Sequence, residues 1–349
     1  MNGIMKNLRK VLLTLGLALG IGAIIVLCIG ENPIDAYIAL FNGAFSSKRA
    51  FGTTLASFTP LLLTAIAFAV AAKAGAFNVG VEGEVFLGGI VAAYIGIHWT
   101  FLPKPLLLVV CFLGAAIVGA AWAYIPGMLK AYFNVNEVCV TILMNSVALF
   151  ITSYLVSGPM SAGVANAQSD PVTVTLPQFM KPSSANVGLF IAIVFVLGIV
   201  WMLQKTKFGY QIRTVGLNPK HAEYVGINPK RIFIKTMMLS GAIGGIAGCI
   251  EVLGVHGYFL NNFATGLGTN GMLASLIVKN NVVLAPFMSF FLAALKSGAM
   301  GMQQNTGVPK SIIDTISAVF IIIATMELLF QFRKNGKKQR SRKDKGANL

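Results

Sequence analysis

Polar side chains interrupt the apolar sequence at three places, and together they could bind a small polar solute. The three segments are "AGAFNVGVEGEVFLGG" (74–89), "NVNEVCVTILMN" (134–145) and "GLGTNGMLASL" (266–276). Amide side chains offer both donors and acceptors, which suits a neutral polyhydroxylated ligand that carries a base. We therefore expect the solute to contact Asn78, Glu82, Asn136, Glu137, Thr141, Asn145 and Asn270.

The spacing of these residues decides which side chains share a helix face. Glu137, Thr141 and Asn145 recur every four residues and so lie on one face of a helix. Glu82 and Glu84 are two residues apart, so they point to different faces and cannot share one partner. Because Glu82 lies between glycines, we expect it to face the protein interior. The alternatives are that both carboxylates are solvated near the inner headgroups, and that Asn145 only bonds a neighbouring helix.

A polar insert, "GLNPKHAEYVGINPKR" (216–231), carries two Asn-Pro pairs ten residues apart. Asn218 is a good helix N-cap, and Pro219 suits the first helical position. Gly226 is a natural helix stop, and Asn228 with its proline begins the next helix. The pattern predicts a short helix capped at both ends, which suits an element that docks onto another surface.

Membrane-spanning helices must position these segments, because 56% of the 349 residues are hydrophobic and only 11% are charged. Soluble domains contain about 25% charged residues. A span needs roughly 20 apolar residues. We predict an all-α polytopic membrane protein with ten spans, at 11–30, 53–72, 80–97, 104–125, 138–157, 187–203, 233–253, 264–278, 283–299 and 311–331.

The distribution of basic residues predicts the orientation of these spans. With the N-terminus inside, 21 of the 27 Lys and Arg residues fall on the inner side, as the positive-inside rule expects. The net charge of +16 therefore reflects topology, and we expect no nucleic-acid partner. Both termini are expected in the cytoplasm.

Two irregular spans suggest an inverted repeat of spans 2–5 and 7–10. Spans 3 and 8 each begin with a segment rich in Gly and Asn, and the two sets start on opposite sides. Broken helices in inverted repeats are typical of transporters. The alternative is that the two Gly- and Asn-rich starts are alike by chance, as happens among helical membrane proteins. Span 8 is apolar for only eight residues, too few to cross as a regular helix.

Span 7 contains the glycine-rich run "SGAIGGIAG" (240–248). Its glycines form overlapping small-xxx-small pairs, which let another helix approach closely in a membrane. The run lacks the preceding strand and the spacing of a nucleotide-binding loop. We therefore predict helix packing here.

Three segments resemble the membrane permeases of ABC importers for branched-chain amino acids, ribose-type sugars and nucleosides. They are "FNVGVEGEVFLGG", "NEVCVTILMN" and "TVGLNPKHAEYVGINPKRIFIKTMMLSGAIGGIAG". The similarity runs from about Leu55 to Phe330 and is greatest to the nucleoside branch. It implies a permease subunit in the bacterial cytoplasmic membrane that forms the path of a nucleoside. The expected partners are separate ABC ATPase chains, a second, non-identical permease and an extracytoplasmic solute-binding lipoprotein.

In the permeases that this chain resembles, the segment matching about 216–229 is the coupling helix, which sits in a groove of the ATPase. The resemblance assigns this role to Asn218, Pro219, Lys220, His221, Ala222, Glu223, Tyr224, Val225, Gly226 and Ile227. The chain has no GxxxxGK[ST] loop, so we expect ATP hydrolysis in another chain. We expect no catalytic residue, cofactor or metal, a permease domain at 1–332 and a disordered basic tail at 333–349.

Other functions fit parts of the same sequence. A ribose-type sugar or amino-acid ABC permease shares the three segments, which specify the family more sharply than the solute. An ion-coupled secondary transporter could also use inverted repeats, and Glu251, Asp314 and Glu327 are acids in apolar surroundings that a proton relay would need. A membrane-embedded enzyme is disfavoured, because no nucleophile and base stand at a suitable spacing.

Overall fold

The computed structural model describes residues 20–28, 30–306 and 315, and these residues form helices joined by loops. Within those ranges β pairing is limited to two isolated bridges, Gln168 with Leu260 and Gln178 with Asn186. The first helix is α1 (Gly20–Cys28). The others, in chain order, are α2 (Pro33–Phe45), α3 (Lys48–Lys73), α4 (Val81–His98), α5 (Lys104–Phe133), α6 (Glu137–Ser157), α7 (Gly188–Lys205), α8 (Lys207–Leu217), α9 (Pro219–Tyr224), α10 (Pro229–Ile250), α11 (Leu267–Ile277) and α12 (Ala285–Thr306).

Six helices in the described part of the chain are long and apolar enough to cross a membrane. They are α3, α4, α5, α6, α7, and α10 together with the π-helical segment Glu251–His256 that continues it. The prediction of a polytopic helical membrane protein is confirmed, and predicted spans 2 to 7 coincide with these helices.

The remaining predicted spans have different outcomes. Span 8 corresponds to α11, whose 11 residues extend only about 16 Å, roughly half the thickness of the hydrocarbon core. Span 9 corresponds to α12. Residues 11–19 of span 1, span 10 apart from Thr315, and the basic tail lie outside the described residues, so the count of ten and the inverted repeat stay predictions.

A larger compact unit, Phe45–Ala294, contains the six long helices. Its centre consists of α3, α4 and α10, whose most apolar windows are 78%, 72% and 78% buried. The corresponding windows of α5, α6 and α7 are only 28%, 17% and 33% buried. These three outer helices therefore present apolar side chains to their surroundings.

The glycines of α10 allow its backbone to touch two neighbouring helices. A Cβ on Gly241 or Gly245 would collide with backbone carbonyls of α5, and a Cβ on Gly248 would collide with the carbonyl of Val85 in α4. The glycine-rich run is thus a packing surface on two sides, and the prediction of close helix packing is confirmed.

A smaller compact unit takes in residues up to Ala44 and residues from Leu295 onward. Its described part is held by a small apolar cluster that includes Val26, Ala36 and Met302. Gly43 of α2 lies so close to the backbone of Gly301 that neither residue has room for a Cβ. Helix α2 was absent from the predicted spans, since its 13 residues are too few for one.

The loop between α6 and α7 lies along the segment that follows α10. The backbone N–H groups of Ser169, Val172 and Leu176 donate to carbonyls in residues 253–259, at 2.8–2.9 Å. These bonds fix the loop at the end of the unit opposite α9.

Candidate functional site

The start of α4 lies in a buried hydrogen-bond network that joins the three central helices. Asn78 Nδ2 donates to Glu84 Oε1 (2.8 Å) and to Ser240 Oγ (2.9 Å). Ser240 Oγ in turn donates to the carbonyl of Ala67 in α3 (2.7 Å). Asn78, Glu84 and Ser240 are each at most 1% exposed, so their polar groups must find partners within the protein.

Glu84, rather than Glu82, is the carboxylate that faces the interior. Glu84 is buried, and among the described residues its Oε2 has no hydrogen-bond partner. A Cβ at Gly244 would lie 2.6 Å from that oxygen, so the glycine makes room for it. The expectation that Glu82 is the inward carboxylate was wrong, because the turn of the helix directs Glu84 toward α10.

Glu82 lies at the contact between α4 and α11. Thr269 Oγ1 donates to Glu82 Oε2 at 3.4 Å, and Gly268 packs directly against the backbone of Glu82. The two carboxylates therefore have different partners, as their spacing predicted. The neighbouring Asn270 is partly exposed on the same short helix.

Asn145 of α6 completes the start of α4. Helix α4 begins after Gly80 without a side-chain cap of its own. Asn145 Oδ1 accepts from the N–H of Gly83 (2.8 Å), and its Nδ2 donates to the carbonyl of Val79 (2.9 Å). The amide of Asn145 in α6 thus caps α4, and one further donor and one further acceptor of that amide are not used in these two bonds.

The other predicted residues of α6 have local roles. Thr141 is buried and donates to the carbonyl of Glu137 in its own helix (2.8 Å). Asn136 is exposed and caps α6, accepting from Val138 N (3.0 Å). The carboxylate of Glu137 forms an ion pair with Lys130 of α5 at 3.0 Å.

Four of the seven predicted polar residues form one group. Asn78, Glu82, Thr141 and Asn145 surround the first turn of α4, and α11 joins them through Thr269. Asn136 and Glu137 lie at the start of α6, apart from that group. Ser240 was missed, although its position four residues before Gly244 would place both on one face of α10.

The acids considered for a proton relay fall elsewhere. Glu251 lies in the π-helical segment, with Oε2 3.9 Å from His256 Nε2. Asp314 and Glu327 lie outside the described residues. Across the described part of the chain, no group of three or more His, Cys, Asp or Glu side chains could hold a metal ion.

The polar insert forms α9 with the predicted caps at both ends. Asn218 Oδ1 accepts from His221 N (3.1 Å), and Pro219 is the first helical residue. Gly226 adopts a left-handed φ of 77° after the last turn. The N–H groups of Gly226 and Ile227 return to the carbonyls of Glu223 (3.0 Å) and Ala222 (2.9 Å), the two bonds of a Schellman motif.

Helix α9 is attached by few side chains and exposes the rest. Ala222 and Ile227 are buried, whereas every other residue from 216 to 228 is exposed. Leu217 and Tyr224 are each 88% exposed, a large apolar area to leave in water. Asn228 caps the following helix by accepting from Arg231 N (3.1 Å).

Helix α8 approaches the backbone at the end of α3 closely. Gly216 lies against the carbonyl of Lys73 so closely that a Cβ would collide with it. Lys73 ends α3, and the next residues lead to Asn78 and α4. The exposed face of α9 is thus connected through a short path to the polar group at the start of α4.

Sequence comparisons give the relatives of this chain. The family described as branched-chain amino acid transport system / permease component matches residues 50–325. The guanosine ABC transporter permease protein NupP of Bacillus subtilis is 31% identical over 99% of both chains. The nucleoside ABC transporter permease protein NupB of Lactococcus lactis subsp. cremoris is 32% identical over 93% of both chains. The glucose ABC transporter permease protein TsgB13 of Haloferax volcanii is 30% identical over 92% of this chain and 88% of that one.

Proposed function

This chain belongs to the family of branched-chain amino acid transport system permease components, and from that membership we propose that it forms a nucleoside path through the membrane. It is a permease subunit of an ABC transporter, and a separate ATPase chain supplies the energy. The solute is delivered by a solute-binding lipoprotein outside the cytoplasmic membrane. A second, non-identical permease completes the path against the apolar faces of α5, α6 and α7.

The observation that carries the coupling proposal is the construction of α9. A six-residue helix with caps at both ends is held in one conformation before any partner arrives. The exposed Leu217 at the end of α8 and the exposed Tyr224 at the end of α9 supply the apolar anchors that a groove on the ATPase would bury. Force applied there would reach the polar group at the start of α4 through the contact between Gly216 and Lys73.

A nucleoside is the solute that the relatives and the polar group favour together. Two relatives with more than 30% identity are permeases for guanosine or nucleosides. The amides of Asn145 and Asn270 can donate to and accept from a sugar hydroxyl or a base edge. Asn78 is buried, with both amide protons bonded within the protein, and would support this surface from behind. A ribose-type sugar or an amino acid is the alternative, since a third relative is a glucose permease.

For the whole chain we propose ten spans, an inverted repeat of spans 2–5 and 7–10, and cytoplasmic termini. The basic residues support this orientation, because 21 of 27 then lie inside. Residues 1–332 would form the permease domain, with the tail at 333–349 touching anionic lipid or the ATPase.

An ion-coupled secondary transporter is the second candidate, and the observation that favours it is buried Glu84, whose Oε2 has no hydrogen-bond partner within the described part of the chain. Coupled proton transport commonly uses carboxylates within the membrane. ATP-driven transport needs no titratable group within the membrane. Depletion of ATP should stop uptake by an ATP-driven permease and leave uptake by an ion-coupled transporter unchanged.

Reconstitution of the chain with its ATPase, partner permease and binding protein tests the proposed function. In proteoliposomes we expect uptake of radiolabelled guanosine only when ATP and the ATPase are present. Unlabelled ribose, glucose and leucine, added in excess, should not reduce this uptake. Uptake driven by a proton gradient by this chain alone would contradict ATP coupling. If ribose or leucine reduced the uptake and unlabelled nucleosides did not, the proposal of ATP coupling would stand, and the solute would be a sugar or an amino acid.

A matched pair of substitutions tests the role of α9 in the same system. Tyr224→Asp places a charge on an exposed side chain, so membrane insertion should be unaffected. We expect ATPase co-purification and guanosine uptake to fall at least tenfold, whereas Tyr224→Phe, which keeps the apolar ring, should retain both. Normal uptake by Tyr224→Asp would show that α9 does not receive the ATPase.

A further inference from the structure

Two adjoining cavities open where α7 ends and α8 begins. The outer one has a volume of about 580 Å³ and is lined by Lys205, Lys207 and Arg213 among others. The deeper one, about 180 Å³, includes Lys73 at the end of α3. Arg213 and Gln204 line both cavities, so the two adjoin, and we call them together the basic cleft.

The charge of the basic cleft is of one sign. Its walls carry four cations, and no Asp or Glu among the described residues lines either cavity. Like charges gathered without a carboxylate repel one another, and an anion bound between them removes that cost. The guanidinium of Arg213 can bind two oxygens of a phosphate, and the amide groups of Gln204 and Asn281 can donate to it.

The deeper cavity also has an apolar wall. Val200, Leu203, Val282 and Val283 line it, and Val283 is half-exposed at its rim. The next residue, Leu284, is also half-exposed. A free inorganic anion would gain nothing from these side chains, whereas the glycerol and acyl groups of a lipid would pack against them.

The position of the cleft matches the headgroup layer. Lys73 and Lys205 are the last residues of two long apolar helices, α3 and α7. Basic pockets between membrane helices at this depth are suited to anionic headgroups. We propose that the basic cleft binds the phosphate of an anionic phospholipid, with Arg213 and Lys73 as its main ligands.

Lipid binding to the assembled transporter tests the proposal without reference to transport. Native mass spectrometry with added phosphatidylglycerol, or with phosphatidylcholine of the same acyl chains, counts the lipids retained. At about 1 kcal/mol for each basic residue near a charged membrane surface, Arg213→Gln should weaken phosphatidylglycerol binding about fivefold. Lys73→Gln with Arg213→Gln should weaken it about thirtyfold, with phosphatidylcholine binding unchanged.

Arg231→Gln is the matched control, because Arg231 is exposed and lines neither cavity. It removes the same charge and should change phosphatidylglycerol binding less than twofold. If Arg213→Gln and Arg231→Gln weakened phosphatidylglycerol binding equally, the binding would depend on general surface charge, and the proposal would be overturned. Displacement of phosphatidylglycerol by inorganic phosphate would assign the cleft to a free anion, and loss of the ATPase without loss of lipid would assign it to the protein partner. Because Arg213 is exposed, its single variant should fold, as size-exclusion chromatography will check.

Discussion

At the scale of single residues, the polar side chains around the first turn of α4 make hydrogen bonds within the protein that stabilise its fold. Any role of these side chains in the solute path comes in addition to that one. Asn78 uses both amide protons within the protein, toward Glu84 and Ser240. Asn145 uses one donor and one acceptor to hold the start of α4. Substitutions here will therefore change stability as well as transport, and the two effects have to be measured separately.

Replacing Asn145 by Ala should destabilise the protein. The N–H of Gly83 and the carbonyl of Val79 would both lose their partner, at a cost of about 1–3 kcal/mol. We expect a lower midpoint of thermal unfolding in detergent. Ser146→Ala, an exposed change in the same helix, should be nearly neutral. An unchanged midpoint combined with weaker guanosine uptake would assign Asn145 to the solute path alone.

Replacing Glu84 by Gln tests whether its charge is needed. The Gln Oε1 can still accept from Asn78, so we expect unfolding temperature and ATP-driven uptake close to those of the parent. Glu84→Ala removes that acceptor, leaves a cavity and should lower the unfolding temperature by several degrees. A stable Glu84→Gln protein that has lost uptake would show that a carboxylate is required, which favours ion coupling.

At the scale of elements, the interval between α7 and α10 shows how local sequence builds a docking helix. Each start in this interval has an oxygen-bearing cap: Thr206 for α8, Asn218 for α9 and Asn228 for α10. Gly226 ends α9 at a left-handed conformation that other residues adopt at a cost of about 1–2 kcal/mol. The exposed face of α9 is thus fixed by its ends rather than by packing.

Gly226→Ala should therefore impair coupling more than its cost in stability predicts. Gly163→Ala is the control, because Gly163 also has a positive φ (68°) and, like Gly226, has no atom within 4 Å of a built Cβ. Both changes should cost about the same strain, seen as similar shifts in thermal unfolding. Only Gly226→Ala should reduce ATPase stimulation by the solute. An equal reduction by Gly163→Ala would show that global stability, and not α9, controls coupling.

The sequence predicted these elements unevenly, for physical reasons. Long apolar runs and Asn-Pro pairs are local signals, so spans 2 to 7 and both caps around α9 agree with the structure. Helix α8 was missed, because its polar residues gave no apolar run. Which of Glu82 and Glu84 faces the interior depends on the position of α10, and the local sequence does not predict that position. Asn145 as a cap for α4 is likewise a contact between distant segments.

At the scale of the whole molecule, the permease carries two kinds of surface on different parts of its structure. The weakly buried helices α5, α6 and α7 offer apolar faces to lipid or to a second permease. The exposed α9 and the basic cleft, where the proposed ATPase and anionic lipid would bind, lie near the C-terminal ends of α3 and α7 and the start of α10. This arrangement requires α9 to face the cytoplasm.

Accessibility of residue 220 tests that requirement most directly. Lys220→Cys is introduced into a chain whose exposed native cysteines, Cys28 and Cys139, are replaced by serine, with Lys181→Cys as the outer control. A membrane-impermeant maleimide should label position 220 only in inverted vesicles, and added ATPase should protect it, while position 181 should be labelled in intact cells. Labelling of position 220 in intact cells would contradict both the orientation and the coupling role of α9.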